Sequence, residues 1–423
     1  MADIDKAITF EDQVELGVRD RSKEMEVEVD IEEENPDFEG FEEMDDGSIM
    51  FGAPTPPMED TNFYANLAED VDSSELKTLM NDLMSNIDSD KESRSDWEKT
   101  YKDGLQYLGM KYEERSQPFE GASGVMHPLL AESVTQFQAQ AYNEILPSQG
   151  PVKTQVIGMS NAETEQQASR VQEFMNYQLM QVMKEYDSET DQMLFYLPLS
   201  GSAFRKVYYD QNLGRAVSKF IPSEDLIVPY AATDLHSATR ITHVIDMSMN
   251  DIKKLQQIGF YRDVDISTGD MMADDYDEVQ EEIDELQGVS PSYDDDDTCR
   301  VHEVHTELDL EGYEDLDSEG EETGIKLPYI ITIANDKVLS IRRNYKETDQ
   351  LKQRINYFVH YKFLPGLGFY GFGLTHMIGG LSKASTSILR QLIDAGTLSN
   401  LPAGFKARGI RIRNDDQPLQ PGE

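Results

Sequence analysis

The sequence predicts an α+β fold in which a helical N-terminal zone precedes a β-rich middle, and a long helix returns near the C-terminus. Apolar residues at helical spacing dominate between residues 73 and 197, whereas short alternating segments bounded by turn residues dominate between residues 204 and 365. The length of 423 residues exceeds one ordinary core, and 17 Phe and 20 Tyr supply apolar surface for more than one. We therefore expect two or three folded domains.

The N-terminal zone contains five predicted helices. Ser73 or Ser74 can cap the first, Pro128 opens the third, Asn161 can cap the fourth, and Pro198 ends the fifth. The apolar stripes of the first four helices include Leu76, Met80, Leu83 and Ile87; Trp97, Tyr101 and Leu105; Leu130, Val134 and Phe137; and Val171, Phe174 and Met175.

Strand patterns begin after the fifth helix. FRKVYYD and AVSKFI form a hairpin around Gly214, and Asn335 with Asp336 forms the turn between YIITIA and VLSIRRNY. Further strands are predicted for ATRITHVIDMS, RVHEVHTELDL and INYFVHYKFLP. A short helix, DIKKLQQIGF, begins after a possible cap at Asn250 and closes at Gly259, and the last strong helix runs from about residue 374 to residue 395.

The predicted elements divide the chain into six segments. These are an acidic, mostly disordered arm (1–62), a helical region (63–200), a β-rich region with a short helix (201–262), an acidic, solvent-facing insertion (263–298), a strand region (299–365), and a glycine hinge with a helix and a basic segment (366–423).

The charge distribution is uneven. The net charge is −45, and residues 1–50 hold 19 acids against 4 bases, whereas residues 351–423 hold 9 Lys and Arg against 4 acids. An outer surface this acidic disfavours non-specific wrapping by nucleic acid. The chain shows neither a secretory signal pattern nor an apolar run long enough to span a bilayer, so no membrane association is predicted.

Signals for catalysis and metal binding are weak. His302 and His305 lack the spacing of a helical zinc motif and would point to opposite faces of a strand, so we interpret them as surface or interface residues. The single cysteine, Cys299, sits among acids that would raise its pKa. We predict no catalytic, metal-binding or cofactor-binding residue, and no enzymatic activity.

Four glycines follow the last predicted strand: Gly366, Gly368, Gly371 and Gly373. The first three spell the G-x-G-x-x-G pattern of dinucleotide-binding turns, but Phe369 and Tyr370 crowd the turn. We interpret the four glycines as a flexible hinge between strand and helix, and dinucleotide or nucleotide binding remains the alternative.

A basic cluster follows the last helix. It consists of Lys406, Arg408, Arg411 and Arg413. If the chain repeats around an axis, these residues form a positive ring that contacts DNA phosphates weakly and without sequence preference. A solvated structural role for the four bases is the alternative.

Four segments carry a resemblance to a known family. They are RSQPFEGASGVMHPLLAESVTQFQAQAYNEILP, LPLSGSAFRKVYYD, IPSEDLIVPYAATDLHSATRITHVIDMS and YKFLPGLGFYGFGLTHMIGGLSKASTSILRQLIDAGTLSNLPAGF. Together they resemble the portal (head-to-tail connector) proteins of tailed bacteriophages, in the short-tailed podovirus type, over residues 72–423. Portal chains continue well past the equivalent of PLQPGE, so the resemblance implies a C-terminally truncated member.

The resemblance implies a structural role in the virion. Portal proteins form a homo-oligomeric ring, usually a dodecamer, at one capsid vertex, and double-stranded DNA passes through its channel during packaging and ejection. Their partners are the terminase large subunit, tail adaptor proteins, and scaffolding and capsid proteins. The resemblance places residues 63–262 in the wing, the strand region in the clip, and the last helix in the stem or tunnel. It also implies synthesis in the host cytoplasm.

Two other functional classes compete with this interpretation. One is a nucleotide-dependent enzyme that uses the Gly366–Gly373 loop, and the other is an acidic scaffold or adaptor whose N-terminal arm recruits partners.

Overall fold

The computed structural model of the protein divides into residues 1–62 and residues 63–423. It describes residues 63–400 with gaps at 111–113, 118, 120, 211–212, 267–277, 290–297, 317–321 and 367. In the first unit, the strands β1 (Phe41–Glu43) and β2 (Ile49–Phe51) form an antiparallel pair. The rest of the predicted disordered arm lies outside the described residues.

The five predicted N-terminal helices are present. They are α1 (Ser73–Ser93), α2 (Ser95–Gln106), α3 (Leu129–Ile145), α4 (Ala162–Tyr177), which continues as a π-helix (Gln178–Val182), and α5 (Tyr186–Ser200). The side chain of Asn161 caps α4 as predicted, by accepting a hydrogen bond from the Thr164 N–H at 2.8 Å.

Two predicted helix boundaries were wrong. The residue at the N-cap of α1 is Asp72, because Ser73 and Ser74 already belong to the first helical turn. Pro198 lies inside α5 and does not end it. The last turn persists because Pro198 lacks only its own N–H, and the Gly201 N–H still donates to the Leu197 carbonyl at 2.9 Å. Gly201 then ends α5 with a φ of 86°.

The strands form two antiparallel sheets. A three-stranded sheet has the order β10 (Phe358–Lys362), β3 (Ser202–Asp210), β4 (Arg215–Ile221). A five-stranded sheet has the sequential order β5 (Leu226–Ile227), β6 (Arg240–Ser248), β7 (Thr298–Leu308), β8 (Leu327–Ala334), β9 (Lys337–Arg343). Asn335 adopts a φ of 49° in the predicted β8–β9 turn.

Three helices complete the described part of the second unit. They are α6 (Met249–Gln257), α7 (Glu278–Gln287) and α8 (Leu374–Asn400). The predicted cap of α6 was wrong: the Ser248 hydroxyl accepts the hydrogen bond from the Asp251 N–H, because Asn250 already lies within the helix. The helix α7 lies in the acidic insertion, yet Val279 and Ile283 are buried against Tyr101 of α2. One face of this helix is therefore core and not solvent-facing.

The five-stranded sheet is covered on both faces. Helix α1 packs Leu76 and Leu83 against Ile331 on one face, and Ile252 of α6 packs against Leu339 on the other. Arg94, at the junction of α1 and α2, donates to the carbonyls of Ser223 and Leu226 at 3.0 Å each. These contacts connect the helical zone to the sheets.

Candidate functional site

The glycine loop connects β10 to α8. Its ends are joined by a bridge in which the Phe372 N–H donates to the Leu364 carbonyl at 2.9 Å. The Gly371 N–H donates to the Ser202 hydroxyl at 2.8 Å, at the start of β3. The loop therefore docks on the junction between α5 and β3.

Close backbone contact explains three of the four glycines, and a Cβ on Gly366 would lie 2.5 Å from the Tyr370 carbonyl oxygen. A Cβ on Gly371 would lie 2.4 Å from the Gly201 carbonyl oxygen, and a Cβ on Gly373 would lie 2.5 Å from that of Leu199. All three distances are below van der Waals contact, so only glycine fits. By contrast, a Cβ on Gly368 would meet no atom within 4 Å. The function of the four glycines as a hinge stays a prediction.

Aromatic rings fill the space beneath the loop. Phe369 is buried and stacks on Phe204 of β3, with ring centroids 5.8 Å apart, and His360 lies 4.7 Å from the Phe369 ring. Burial, reinforced by the charge of Lys362, lowers the pKa of His360 to about 3. The neutral imidazole is therefore part of the packed layer that holds the loop.

Helix α8 packs against the rest of the chain through a polar face. The Thr386 hydroxyl accepts from the His127 N–H at 3.0 Å, the Asp394 carboxylate accepts from the Ser123 N–H at 2.7 Å, and Arg390 donates to a backbone carbonyl at 2.7 Å. The buried residues of this face are Thr375, Gly379, Ser382, Thr386 and Asp394. Thr386, Arg390 and Asp394 clamp the extended segment 122–128 against the helix.

The sequence analysis did not predict this polar face, because the apolar residues of the same helix give the stronger periodic signal. Leu381, Ile388 and Leu392 are exposed, at 64%, 67% and 71%. The small and polar residues recur at spacings of three and four positions, which is the pattern of a helix face. That recurrence is the signal from which the clamp could have been found.

A polar cluster joins the two sheets. The Lys206 ammonium group of β3 lies 2.6 Å from the Glu303 carboxylate of β7, which also contacts the imidazole of His305 at 2.8 Å. Burial raises the pKa of Glu303, but the charge of Lys206 and the bond to His305 outweigh it and hold the pKa well below its usual range. The carboxylate stays ionised and links the strands.

The prediction that His305 is a surface or interface residue was wrong. Its side chain is 2% exposed, because β3 and β10 cover this face of the five-stranded sheet and the Phe358 ring lies 5.0 Å away. Burial lowers its pKa. His302 points to the opposite face, as the alternation of a strand requires.

Cys299 is buried and free. Burial, with a smaller contribution from Asp246, raises the pKa of its thiol, in the direction predicted from its acidic neighbours. Among the described residues, no group of three or more His, Cys, Asp and Glu side chains is placed to hold a metal ion. The described helices include none with the length and apolarity to cross a membrane.

The four basic residues predicted to contact DNA lie outside the described residues. They are Lys406, Arg408, Arg411 and Arg413. Their role in DNA contact stays a prediction.

Comparison with protein families identifies the segment that carries these features. Residues 205–410 match the family model described as the phage SU10 portal protein. This segment is similar to the phage portal proteins. The portal segment begins in β3, includes both sheets and the glycine loop, and extends through α8 to the first two residues of the basic cluster. No curated protein matches the chain.

The portal match confirms the resemblance inferred from the sequence. The resemblance over residues 72–204 lies outside the match and stays a prediction, as do the podovirus type and the truncation. The observed mixture of helices and two sheets agrees with the predicted α+β class, and portal proteins are structural components of the virion.

Proposed function

We propose that the chain is a portal subunit that forms a ring, of twelve copies, at one capsid vertex. DNA passes through the channel of this ring during packaging and ejection, and the ring binds the terminase large subunit, tail adaptor proteins, and scaffolding and capsid proteins. The observation that carries the proposal is the portal-family match over residues 205–410.

The acidic surface agrees with a conduit for DNA. A net charge of −45 repels the duplex over most of the protein, so DNA can slide without being trapped. The basic cluster at residues 406–413 would then supply the few weak phosphate contacts.

The wing, clip and stem assignments belong to the same proposal. Residues 63–262 would form the wing, the strand region 299–365 would approach the clip, and α8 would lead to the tunnel. The tight packing of Gly371 on Gly201 supports a fixed angle between the three-stranded sheet and the start of α8.

The glycine loop favours this structural role over nucleotide binding. A dinucleotide-binding turn follows a strand of a parallel sheet, whereas the strand before the glycine loop, β10, pairs antiparallel with β3 at the edge of the three-stranded sheet. The Phe369 ring is buried in the same loop. We therefore propose a subunit without nucleotide turnover, in which ATP hydrolysis belongs to the terminase.

The decisive experiment measures the molar mass by light scattering, with electron-microscope images of the same fraction. It is performed on this chain and on any longer product of its reading frame. Rings with a central hole and no ATP hydrolysis are expected. A product that stays monomeric or dimeric in every form would overturn the portal proposal.

A further inference from the structure

Helix α8 carries an apolar face that the described residues leave exposed. We call it the α8 seam, and it consists of Met377, Leu381, Ala384, Ile388, Leu392 and Ala395. Successive residues are three or four positions apart, the spacing of one helix face, and the stripe is about 27 Å long. An apolar stripe of this length on a soluble protein marks an interaction surface.

The α8 seam cannot be hidden by rotating the helix. The opposite face is fixed to its own subunit by the bonds from Thr375 to the Leu199 carbonyl, at 2.9 Å, and by the bonds that Thr386 and Asp394 accept. A rotation would bury the apolar residues only by breaking these buried hydrogen bonds. The apolar side chains of the α8 seam therefore become buried only if another surface packs on them.

A second unpartnered apolar helix face lies elsewhere on the same chain. We call it the α4 face, and it consists of Val171, Phe174 and Met175, which are 50%, 61% and 45% exposed. No residue of α4 is buried. The helix is nevertheless held in place, because Asn176 exchanges hydrogen bonds with the backbone of Val152 at 2.9 and 3.1 Å.

The segment that leads into α4 carries two further exposed apolar side chains. Ile157 and Met159 are 96% and 94% exposed. Methionine and aromatic side chains such as Phe174 are enriched at protein interfaces. The α4 face thus has the composition expected of the second half of a contact.

The charges beside α8 and on α4 are opposite in sign. A cavity of about 450 Å³ borders α8 and is lined by Arg115, Lys383 and Arg390. Its one acidic lining residue, Asp394, already accepts from the Ser123 N–H. Helix α4 carries three acids against one base: Glu163, Glu165 and Glu173 against Arg170. The three basic residues beside α8 favour an acidic partner, and a second copy of this chain, with its net charge of −45, is such a partner.

We propose that the α8 seam of one copy packs against the α4 face of a neighbouring copy. This inference rests on the proposed portal function and names the contact that builds the ring. The two faces differ, so the contact is heterologous, and repetition of a heterologous contact around an axis closes a ring. The cationic border of α8 would meet the acids of α4 at the edge of the contact.

Disulfide trapping tests the contact directly, because the one native cysteine is buried. Phe174→Cys and Ile388→Cys are prepared separately, mixed in equal amounts, assembled and oxidised. Cross-linked dimers are expected from the mixture and not from either variant alone. The double variant is expected to give a ladder of covalent oligomers. Lys337→Cys, at the exposed first residue of β9, replaces Phe174→Cys in the control mixture and should give no cross-link.

A second variant measures the contribution of the seam to assembly. Leu392→Gln should raise the protein concentration needed for half-maximal ring formation about tenfold, with an unchanged circular dichroism spectrum of the monomer. Rings that form without the 174–388 cross-link would overturn this inference and leave the portal function standing. A cross-link within a single chain would show that α4 covers the seam of its own copy, which also overturns it. Failure to form rings in any form of the protein would overturn both proposals.

Discussion

Lys206 and Glu303 join the two sheets through one ion pair. The ammonium nitrogen lies 2.6 Å from each of the two carboxylate oxygens, and the side chains are only 14% and 17% exposed. Ion pairs that are largely removed from water are costly to break on one side only, because the remaining charge loses its partner without regaining its hydration. The pair therefore contributes, beside the apolar contacts of Phe204 and Phe358 with Leu226 and Ile241, to the association of the two sheets.

Removing Glu303 should destabilise the protein strongly. For Glu303→Ala we expect the free energy of unfolding to fall by about 3–5 kcal/mol, since Lys206 and His305 both lose their partner. The measurement is denaturant unfolding followed by circular dichroism. As the control, Lys254→Ala breaks the exposed pair between Lys254 and Asp251, which are 61% and 54% exposed, and should cost at most about 1 kcal/mol. Equal effects of the two variants would contradict the structural role of the Glu303 pair.

Acid should destabilise the protein well before its carboxylates titrate. Burial, reinforced by the charge of Lys206, lowers the pKa of His243 to about 3, whereas the unfolded chain takes up this proton near 6.5. The unfolded state thus binds more protons between these two values, so the stability contributed by His243 is full above pH 6.5 and is lost as the pH falls towards 3. Between about pH 7 and pH 5 the loss is about 2 kcal/mol for this one histidine.

The His243 contribution can be isolated by substitution. His243→Phe keeps a ring beside Phe358, which lies 5.9 Å away, and removes the titrating group. In this variant, the loss of unfolding free energy between about pH 7 and pH 5 should be smaller by about 2 kcal/mol. His236→Gln changes an exposed histidine and serves as the control, with a pH dependence like that of the unmodified protein. An unchanged slope in His243→Phe would refute the assignment.

Two glycines of the same loop should respond oppositely to alanine. Gly371→Ala places a methyl group 2.4 Å from the Gly201 carbonyl, so the loop must move, and we expect a loss of about 1–3 kcal/mol. Gly368→Ala meets no atom within 4 Å and restricts the unfolded chain, so its effect should be within about 1 kcal/mol and of stabilising sign. Thermal unfolding of both variants checks the difference. Similar losses of stability in the two variants would mean that backbone flexibility, and not close packing, explains why glycine occurs at both positions.

The polar clamp of α8 is testable by a nearly isosteric change. Thr386→Val keeps the shape of the side chain but leaves the His127 N–H without its acceptor, which should cost about 1–3 kcal/mol. Thr397 lies on an exposed part of the same helix, and its hydroxyl donates only to the Ile393 carbonyl within the helix. Thr397→Val should therefore be nearly neutral. Equal losses in denaturant unfolding would argue against the clamp.

Hydrophobic periodicity predicted the helices and strands of this fold because the apolar residues of the first helices and the central strands are buried in the core. Leu76 and Leu83 of α1 and Ile331 of β8 are in the core as their spacing predicts. The boundaries were less predictable, since the backbone bonds of the last turn keep Pro198 inside α5 and the Ser248 side chain caps the first turn of α6. Such bonds depend on the fold of the flanking chain and leave little trace in composition.

Helix α8 shows why the candidate site was harder to predict. Its strongest periodic signal, Leu381 and Ile388, marks the face that its own subunit leaves exposed, whereas Thr386 and Asp394 are buried. The periodicity is real, but it does not say which chain supplies the covering surface. The pairing of Gly371 with Gly201 across the sequence depends on tertiary proximity in the same way.

The basic cluster gives a prediction for DNA. If Lys406, Arg408, Arg411 and Arg413 contact phosphates, replacing all four by Gln should weaken binding to duplexes of any sequence alike. Each lost contact should also reduce the steepness of log K against log salt by about 0.9, because fewer counterions are released. Fluorescence anisotropy with two unrelated duplexes between about 50 and 200 mM salt measures both effects. Lys253→Gln with Lys254→Gln, on α6, is the control. An unchanged slope in the quadruple variant would show that these four residues do not contact DNA, whatever ring the chain forms.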